Sequence, residues 1–102
     1  MAVYSITYDL NNEITRRDHT GIRKAIQGFP SWRKLCDSSY LVDTDMSAEE
    51  VFAILSPYVD HDDNVMVLPI YRPYAGRNHS EVLQWMEERV TARLMERVPE
   101  QG

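Results

Sequence analysis

The first ten residues alternate between apolar and polar side chains, which is the pattern of a β-strand. The alternation runs from Ala2 to Leu10. Successive strand side chains point to opposite faces of a sheet. We therefore predict a strand with its apolar face under helices, and with its polar face open, shared with a partner or used for chemistry. The two sets of alternate positions are Tyr4, Ile6, Tyr8 and Leu10 against Val3, Ser5, Thr7 and Asp9.

The next segment changes to helical spacing. Its apolar residues recur at intervals of three and four positions, which predicts one buried face of a helix. Thr15 or Asp18 can cap its beginning. Gly28 and Pro30 end it, because neither residue favours continuation of a helix. The predicted buried residues are Ile22, Ala25, Ile26 and Phe29.

Two short segments then predict a β-hairpin. The segments are 32–36 and 39–44, and the pair Asp37-Ser38 between them is a plausible turn. Cys36, at the end of the first segment, is interpreted as a half-buried strand residue.

A second helix is predicted from a capping box. Ser47 and Glu50 have the Ser-x-x-Glu spacing in which each side chain satisfies the other residue's backbone N–H. Pro57 lies near the expected end of this helix. The apolar positions that follow the box are expected to be buried: Val51, Ile54, Leu55 and Tyr58.

The last third of the chain predicts one more strand and one more helix. The strand spans residues 65–71, and Pro69 within it favours an edge position, because proline has no N–H to donate to a neighbouring strand. The helix begins at Ser80 and continues to about Arg97. Its expected buried residues are Leu83, Met86, Val90 and Leu94.

The order of these elements is β-α-β-β-α-β followed by a C-terminal helix. This order predicts an α+β fold of the ferredoxin-like sandwich type, with the first strand central and the fourth at an edge. The expected organisation is a single domain, 1–102, with a core over 1–72 and a helix over 79–98. Two helices would cover one sheet face and leave the other bare. A homodimer is the simplest way to cover it, with the last helix packing across the subunit boundary.

Composition is that of an ordinary globular domain. The chain has 102 residues, of which 43% are hydrophobic and 26% charged. No apolar stretch is long enough for a signal peptide or a membrane span, so we expect a cytoplasmic protein with no membrane partner. The single cysteine excludes an internal disulfide, and it has no clustered ligands for zinc.

Charge is distributed unevenly around a net value of −5. Residues 1–36 carry six basic and three acidic side chains, whereas residues 37–71 carry eight acidic and no basic side chains. An acidic protein is disfavoured as a tight nonspecific nucleic-acid binder, since that binding depends on phosphate neutralisation. The basic first third nevertheless leaves RNA or DNA open as a partner.

Asp9 is the leading candidate for chemistry. A carboxylate at the end of a strand can hold Mg²⁺ or Mn²⁺, and two copies of Asp9 across a dimer axis would supply two carboxylates to one ion. Arg16 and Arg17, at the start of the first helix, could bind substrate phosphate. The alternatives are a hydrogen bond from the amides of residues 11–12 to Asp9, and a solvated helix face for the arginines.

Two further sets of polar residues have both a functional and a structural interpretation. Ser38, together with Ser5 and Thr7, could orient water or phosphate, or the hydroxyls could simply pair across strands or a dimer contact. His61 lies among three aspartates, 60, 62 and 63, and has a metal-like composition. Adjacent residues on a turn rarely converge on one ion, so we expect that group to cap and solvate its loop.

Three segments together resemble a known family. They are Tyr8-Asp9-Leu10, the stretch 31–42 with Ser38 and Tyr40, and the acidic turn 62–67. In order and spacing they are similar to the CRISPR-associated second Cas protein and its SinR-like relatives, over about residues 1–72. The resemblance implies a small ferredoxin-like homodimer. It also implies metal-dependent cleavage of phosphodiesters, with Asp9 as the metal ligand, or a non-catalytic role, since members of the family differ.

The chain also departs from the CRISPR branch. It is acidic, and it is expected to end in a long helix instead of a short swapped strand. Two functions therefore stay open: a metal-dependent nuclease, and a non-catalytic homodimer that binds or regulates a protein partner. The fold class supports both, so the site must separate them.

Overall fold

A four-stranded antiparallel sheet organises the structure. The structure, a computed structural model, describes residues 2–10 and 16–92, and for residues 16–19 the backbone alone. Over those residues the predicted α+β class is confirmed, with three α-helices and one 3₁₀ turn added to the sheet. The elements are β1 (Ala2–Asp9), α1 (Arg16–Gln27), β2 (Trp32–Cys36), β3 (Ser39–Thr44), α2 (Ala48–Leu55), the 3₁₀ turn (Ser56–Tyr58), β4 (Asn64–Pro69) and α3 (Ser80–Arg89).

The strands lie in the order β2-β3-β1-β4. β1 is therefore interior, and β4 is an edge strand, as Pro69 predicted. Within the register, Tyr4 lies opposite Pro69 and Asp9 lies opposite Asn64. The strand β4 begins and ends earlier than the predicted 65–71. Its last residue is the proline, and one further hydrogen bond, from Ile70 N–H to Val3 O, joins the chain to β1.

The apolar face of β1 lies under α1 and α2, as its alternation predicted. Tyr8 and Ile6 are almost completely buried there, against Ile22 and Ile26 of α1. Burying side chains of this size contributes about 1.5–3 kcal/mol each. This cluster is the main core, and its fully or largely buried members are Tyr4, Ile6, Tyr8, Leu10, Ile22, Ile26, Phe29, Tyr40, Val42, Val51 and Leu55.

The second sheet face is covered in part by α3 of the same chain, which corrects the prediction that this face is bare. Val3 of β1 and Leu41 of β3 are buried beneath the helix. Trp85 is the largest contributor from α3, with 2% of its surface exposed. The remaining buried members of this second cluster are Val82, Met86 and Val90. A partner subunit is therefore not needed over β2 and β3.

The helix α3 is shorter than predicted, and of its expected buried residues Met86 and Val90 are confirmed. It ends at Arg89, because Val90 has extended backbone angles (φ −80°, ψ 124°). Arg72 donates hydrogen bonds to the carbonyls that follow the helix. Its side-chain Nε donates to Val90 O at 2.8 Å, and its backbone N–H donates to Thr91 O at 3.0 Å. Leu83, expected in the core, is exposed. The predicted positions of Leu94 and Arg97 lie outside the described residues.

The capping box of α2 is confirmed. Ser47 N–H donates to Glu50 Oε1 at 2.8 Å, and Glu50 N–H donates to Ser47 Oγ at 3.1 Å. Val51 and Leu55 are buried as predicted. Ile54 and Tyr58 are exposed, contrary to the prediction. The helix ends at Leu55 and the 3₁₀ turn redirects the chain, so helical spacing does not carry the buried side as far as Tyr58.

Replacing Ser47 with alanine is expected to lower the free energy of unfolding by about 1 kcal/mol, since one N-terminal donor of α2 loses its acceptor. Chemical denaturation measures the change. Ser47→Asp is the matched control, because aspartate caps a helix as well as serine does. Equal stability of the alanine variant and the wild type would contradict a stabilising role for this box.

Candidate functional site

Asp9 and Ser38 lie at the same end of the sheet. Asp9 is exposed at the last position of β1, and Ser38 is half-buried in the turn between β2 and β3. The carbonyl of Ser38 accepts the N–H of Tyr8 at 3.0 Å, which holds the turn beside the end of β1. Arg16 and Arg17 form the beginning of α1. Their side chains, and the amides of residues 11–12 that were an alternative partner for Asp9, lie outside the described part of the chain.

The hydroxyls on this face of β1 form a short hydrogen-bonded row. Thr7 Oγ1 lies 3.0 Å from Ser39 Oγ on β3, and 3.5 Å from Ser5 Oγ on its own strand. Ser5 and Ser39 are buried, whereas Thr7 is exposed. The cross-strand interpretation of Ser5 and Thr7 therefore accounts for their contacts. Ser39 takes the place that the sequence analysis gave to Ser38.

The acidic turn before β4 closes on itself. Asp63 accepts the N–H of Asp60 through Oδ2 at 2.8 Å, and its own N–H donates to Asp60 O at 3.0 Å. Ligand oxygens of Asp60, Asp62 and Asp63 lie within 4.8 Å of one another. A carboxylate that caps the turn is what the sequence interpretation expected of this loop. His61, between them, is exposed.

Asp9 is not part of that acidic group. Among the side chains that the structure describes, those of residues 2–10 and 20–92, no group of three potential ligands includes Asp9. Mg²⁺ takes six oxygen ligands in octahedral geometry, commonly one or two carboxylates with water and substrate phosphate. The described side chains of one chain therefore offer Asp9 no such set of ligands, whereas a second copy would add a carboxylate.

The phenol nearest this strand end is not a proton carrier at neutral pH. The hydroxyl of Tyr8 points toward the carbonyl of Asp37, at 3.4 Å. Burial, with a smaller contribution from Tyr40, raises the pKa of Tyr8 to about 12, although Arg23 opposes the shift. The phenol of Tyr8 therefore stays protonated at neutral pH, and it supplies no general base near Asp9.

An apolar strip is exposed beside the hydroxyl row. Met66 is 57% exposed and Leu68 is 43% exposed, and they lie opposite Thr7 and Ser5 in the register. Both belong to β4, on the half of the second sheet face that α3 leaves open. Together with the exposed residues Thr7 and Asp9 on the same face of β1, these two side chains form a surface that we call the open strip. Sequence reasoning missed it, because both faces of β4 are apolar and the alternation does not say which one is covered.

The two edges of the sheet differ in their protection. The edge strand β2 carries the exposed cations Arg33 and Lys34, and its register shifts between Lys34 and Cys36. Charges and bulges of this kind discourage a further strand from pairing. The irregularity also leaves Cys36 exposed, which corrects its predicted half-burial. The edge strand β4 has no charged residue, and only its terminal Pro69 interrupts the edge.

An ion pair between a buried aspartate and a half-buried arginine fastens α3 at the opposite end of the sheet. Asp43 is buried on β3, and its Oδ2 lies 3.4 Å from Arg89 Nε. Arg89 also lies over the ring of Trp85, 5.0 Å from its centre, and Trp85 Nε1 donates to Ser31 Oγ at 3.0 Å. A cleft of about 680 Å³ borders this pair. The charges of both residues are engaged, so we assign them a structural role.

Across the described residues, the helices are too short and too polar to span a bilayer. The geometry thus places Asp9, at one end of the open strip, near Ser38. The acidic turn is a separate group whose hydrogen bonds close the turn itself. No protein-family model matches the chain, and no curated protein matches it.

Proposed function

We propose that the chain is a homodimeric, non-catalytic interaction module. The observation that carries this proposal is the exposure of Met66 and Leu68 on an edge strand without charged residues. Complete burial of a Met or Leu side chain contributes about 1.5–3 kcal/mol, so covering both is a substantial driving force for association. Natural sheets that stay monomeric protect such an edge.

The strand order supports the ferredoxin-like plan within the confirmed α+β class. An interior β1, an edge β4 and two helices on one face are the arrangement which that plan requires. The same arrangement supports a place among the SinR-like relatives, with α3 as an addition. A single cysteine supports a cytoplasmic location.

A metal-dependent phosphodiesterase is the second candidate function. The exposure of Asp9 at the open end of the sheet favours it, with Ser38 nearby and Arg16 and Arg17 at the start of α1. The substrate would be RNA or DNA, and the ion Mg²⁺ or Mn²⁺. This candidate requires two copies of Asp9 to converge, since the described side chains of one chain supply too few ligands.

The mass of the protein in solution tests the dimer. Light scattering at micromolar concentration is expected to give twice 11.9 kDa for the wild type. Met66→Asp is expected to give the single-chain mass, because it places a carboxylate of each copy on the apolar surface that association covers. Leu83→Asp is the control, since Leu83 is also an exposed apolar residue, but on α3. A wild type that stays monomeric would refute the proposal.

Cleavage assays separate the two candidate functions. With Mg²⁺ or Mn²⁺ and either single-stranded RNA or double-stranded DNA, the wild type and Asp9→Ala are both expected to leave the substrate intact. Asp45→Ala, an exposed aspartate outside the strip, is the matched variant. Metal-dependent cleavage by the wild type and Asp45→Ala, but not by Asp9→Ala, would establish the nuclease in place of the proposed function.

A further inference from the structure

We infer that the occupant of the β4 edge is the β4 strand of a second copy, paired antiparallel with Met66 facing Met66 across the two-fold axis. The inference rests on the proposed homodimer and specifies how it forms. It joins the two sheets into one continuous sheet of eight strands. The alternative is a dimer in which the open strips of the two copies stack face to face.

The backbone of β4 has a defined set of free groups. Ile70 N–H donates to Val3 O at 2.9 Å, so the even-numbered residues of β4 direct their N–H and C=O groups toward β1. Backbone groups alternate sides along a strand. Those of Val65, Val67 and Pro69 therefore point outward, where no described strand pairs with them. Proline lacks the N–H, so the outward donors are Val65 and Val67.

A two-fold rotation places the free backbone groups of one β4 strand opposite those of the same strand in a second copy. When the axis passes beside Met66, Val65 of each copy lies opposite Val67 of the other. Each such pair exchanges two hydrogen bonds, as in a hydrogen-bonded antiparallel pair, so both outward donors and both carbonyls are used in each chain. Pro69 remains outside the ladder. Moving the axis by one residue, to beside Val67, would place Pro69 opposite Val65, and that pair would form one hydrogen bond instead of two because proline has no N–H.

The side chains around this edge favour a second copy of the chain. Met66 would pack on Met66 of the second copy, and the exposed ring of Phe52 beside Val65 and Val67 adds apolar surface on the other face.

Edge pairing has a direct consequence for Asp9. Its strand, β1, is one position inside β4, so the two β1 strands of an eight-stranded sheet are three strand spacings apart. With about 4.8 Å per spacing, the two Asp9 backbones stay at least about 14 Å apart in any register, and about 20 Å apart in the Met66-centred one. Two carboxylates at that separation do not share an ion. Face-to-face stacking would allow them to converge.

Two variants distinguish an edge dimer from a stacked dimer. Val67→Pro removes an outward N–H that makes no bond to β1, and its ring blocks the edge. Thr7→Arg leaves the edge intact and places a bulky charge on the exposed centre of the open strip. We expect Val67→Pro to be monomeric by light scattering and Thr7→Arg to remain dimeric. The reverse result would overturn edge pairing and favour stacking.

Disulfide cross-linking gives a second measurement that does not depend on the proline variant folding. In a Cys36→Ser background, Met66→Cys is expected to form a covalent dimer on mild oxidation, because facing residues of a non-hydrogen-bonded pair are about 4.5 Å apart. Asp9→Cys is expected to remain uncross-linked. A covalent dimer from Asp9→Cys would overturn the inference.

The outcomes also separate this inference from the proposed function. A wild type that is monomeric at micromolar concentration refutes both. A dimeric wild type in which Asp9→Cys cross-links and Val67→Pro still associates leaves the homodimer standing and refutes its edge. Circular dichroism of each variant checks that a lost dimer is not a lost fold.

Discussion

Replacing Trp85 with alanine is expected to lower the free energy of unfolding by about 3–5 kcal/mol, the usual cost of deleting a buried aromatic ring. Trp85 fills the space between α3 and the sheet, where it packs near Val3 and Leu41. The variant also loses the hydrogen bond to Ser31 and the contact with the Arg89 guanidinium. Urea denaturation measures the change. The protein concentration must be held constant, since association adds to apparent stability.

Leu83→Ala is the matched control for Trp85→Ala. Leu83 lies two residues away on the same helix but is 37% exposed, so its loss is expected to change stability by about 0.5 kcal/mol or less. The sequence pattern had placed Leu83 in the buried stripe. A larger loss at Leu83 than at Trp85 would show that Leu83, and not Trp85, faces the sheet.

The second large effect is a loss of stability in alkaline solution. The phenol of Tyr8 loses its proton near pH 10 in the unfolded chain, whereas burial raises its pKa to about 12 in the folded protein. Between these values the unfolded state binds fewer protons, so the free energy of unfolding falls as pH rises. The protonated phenol of Tyr8 makes its full contribution to the free energy of unfolding below pH 10. The expected loss from pH 10 to pH 12 is on the order of 2–3 kcal/mol.

Tyr8→Phe is expected to remove most of this alkaline slope, because it has no proton to lose. Denaturation curves collected from pH 8 to pH 12 provide the comparison. Burial also raises the pKa of Tyr4, so the residual slope in Tyr8→Phe is assigned to that residue. Tyr58→Phe is the control, as its ring is exposed. Parallel slopes for the wild type and Tyr8→Phe would contradict the assignment.

The sequence was most informative where structure depends on neighbours along the chain. Alternation in β1 identified its core face, and the hairpin strands β2 and β3 have the predicted bounds. The capping box at Ser47 needs only residues three apart. Each of these patterns is enforced locally, by strand pleating or by the backbone donors of one helix turn.

The sequence failed where the outcome depends on what packs against an element. On α3, the sets containing Leu83 and Trp85 both have helical spacing, and only contact with the sheet selects between them. On β4, Met66 and Val67 are both apolar, so exposure depends on which neighbouring helices reach the edge strand. These are tertiary effects that local periodicity does not encode.

The candidate site was predictable in position but not in composition. The end of β1 is exposed, and it holds Asp9 near Ser38, as the strand assignments implied. The number of carboxylates available to an ion depends on how two chains meet, which one chain's pattern does not specify. Tertiary contact also created the ion pair of Asp43 and Arg89, whose residues are far apart in sequence.

The irregular, positively charged strand β2 limits how large an assembly of this protein can become. A sheet with two receptive edges could add copies at both, and an open-ended series of that kind grows into a fibre. Here Arg33, Lys34 and the register shift after Lys34 close one end. In the proposed eight-stranded sheet built on β4, a β2 strand would lie at each outer margin, so a third chain would find no receptive edge.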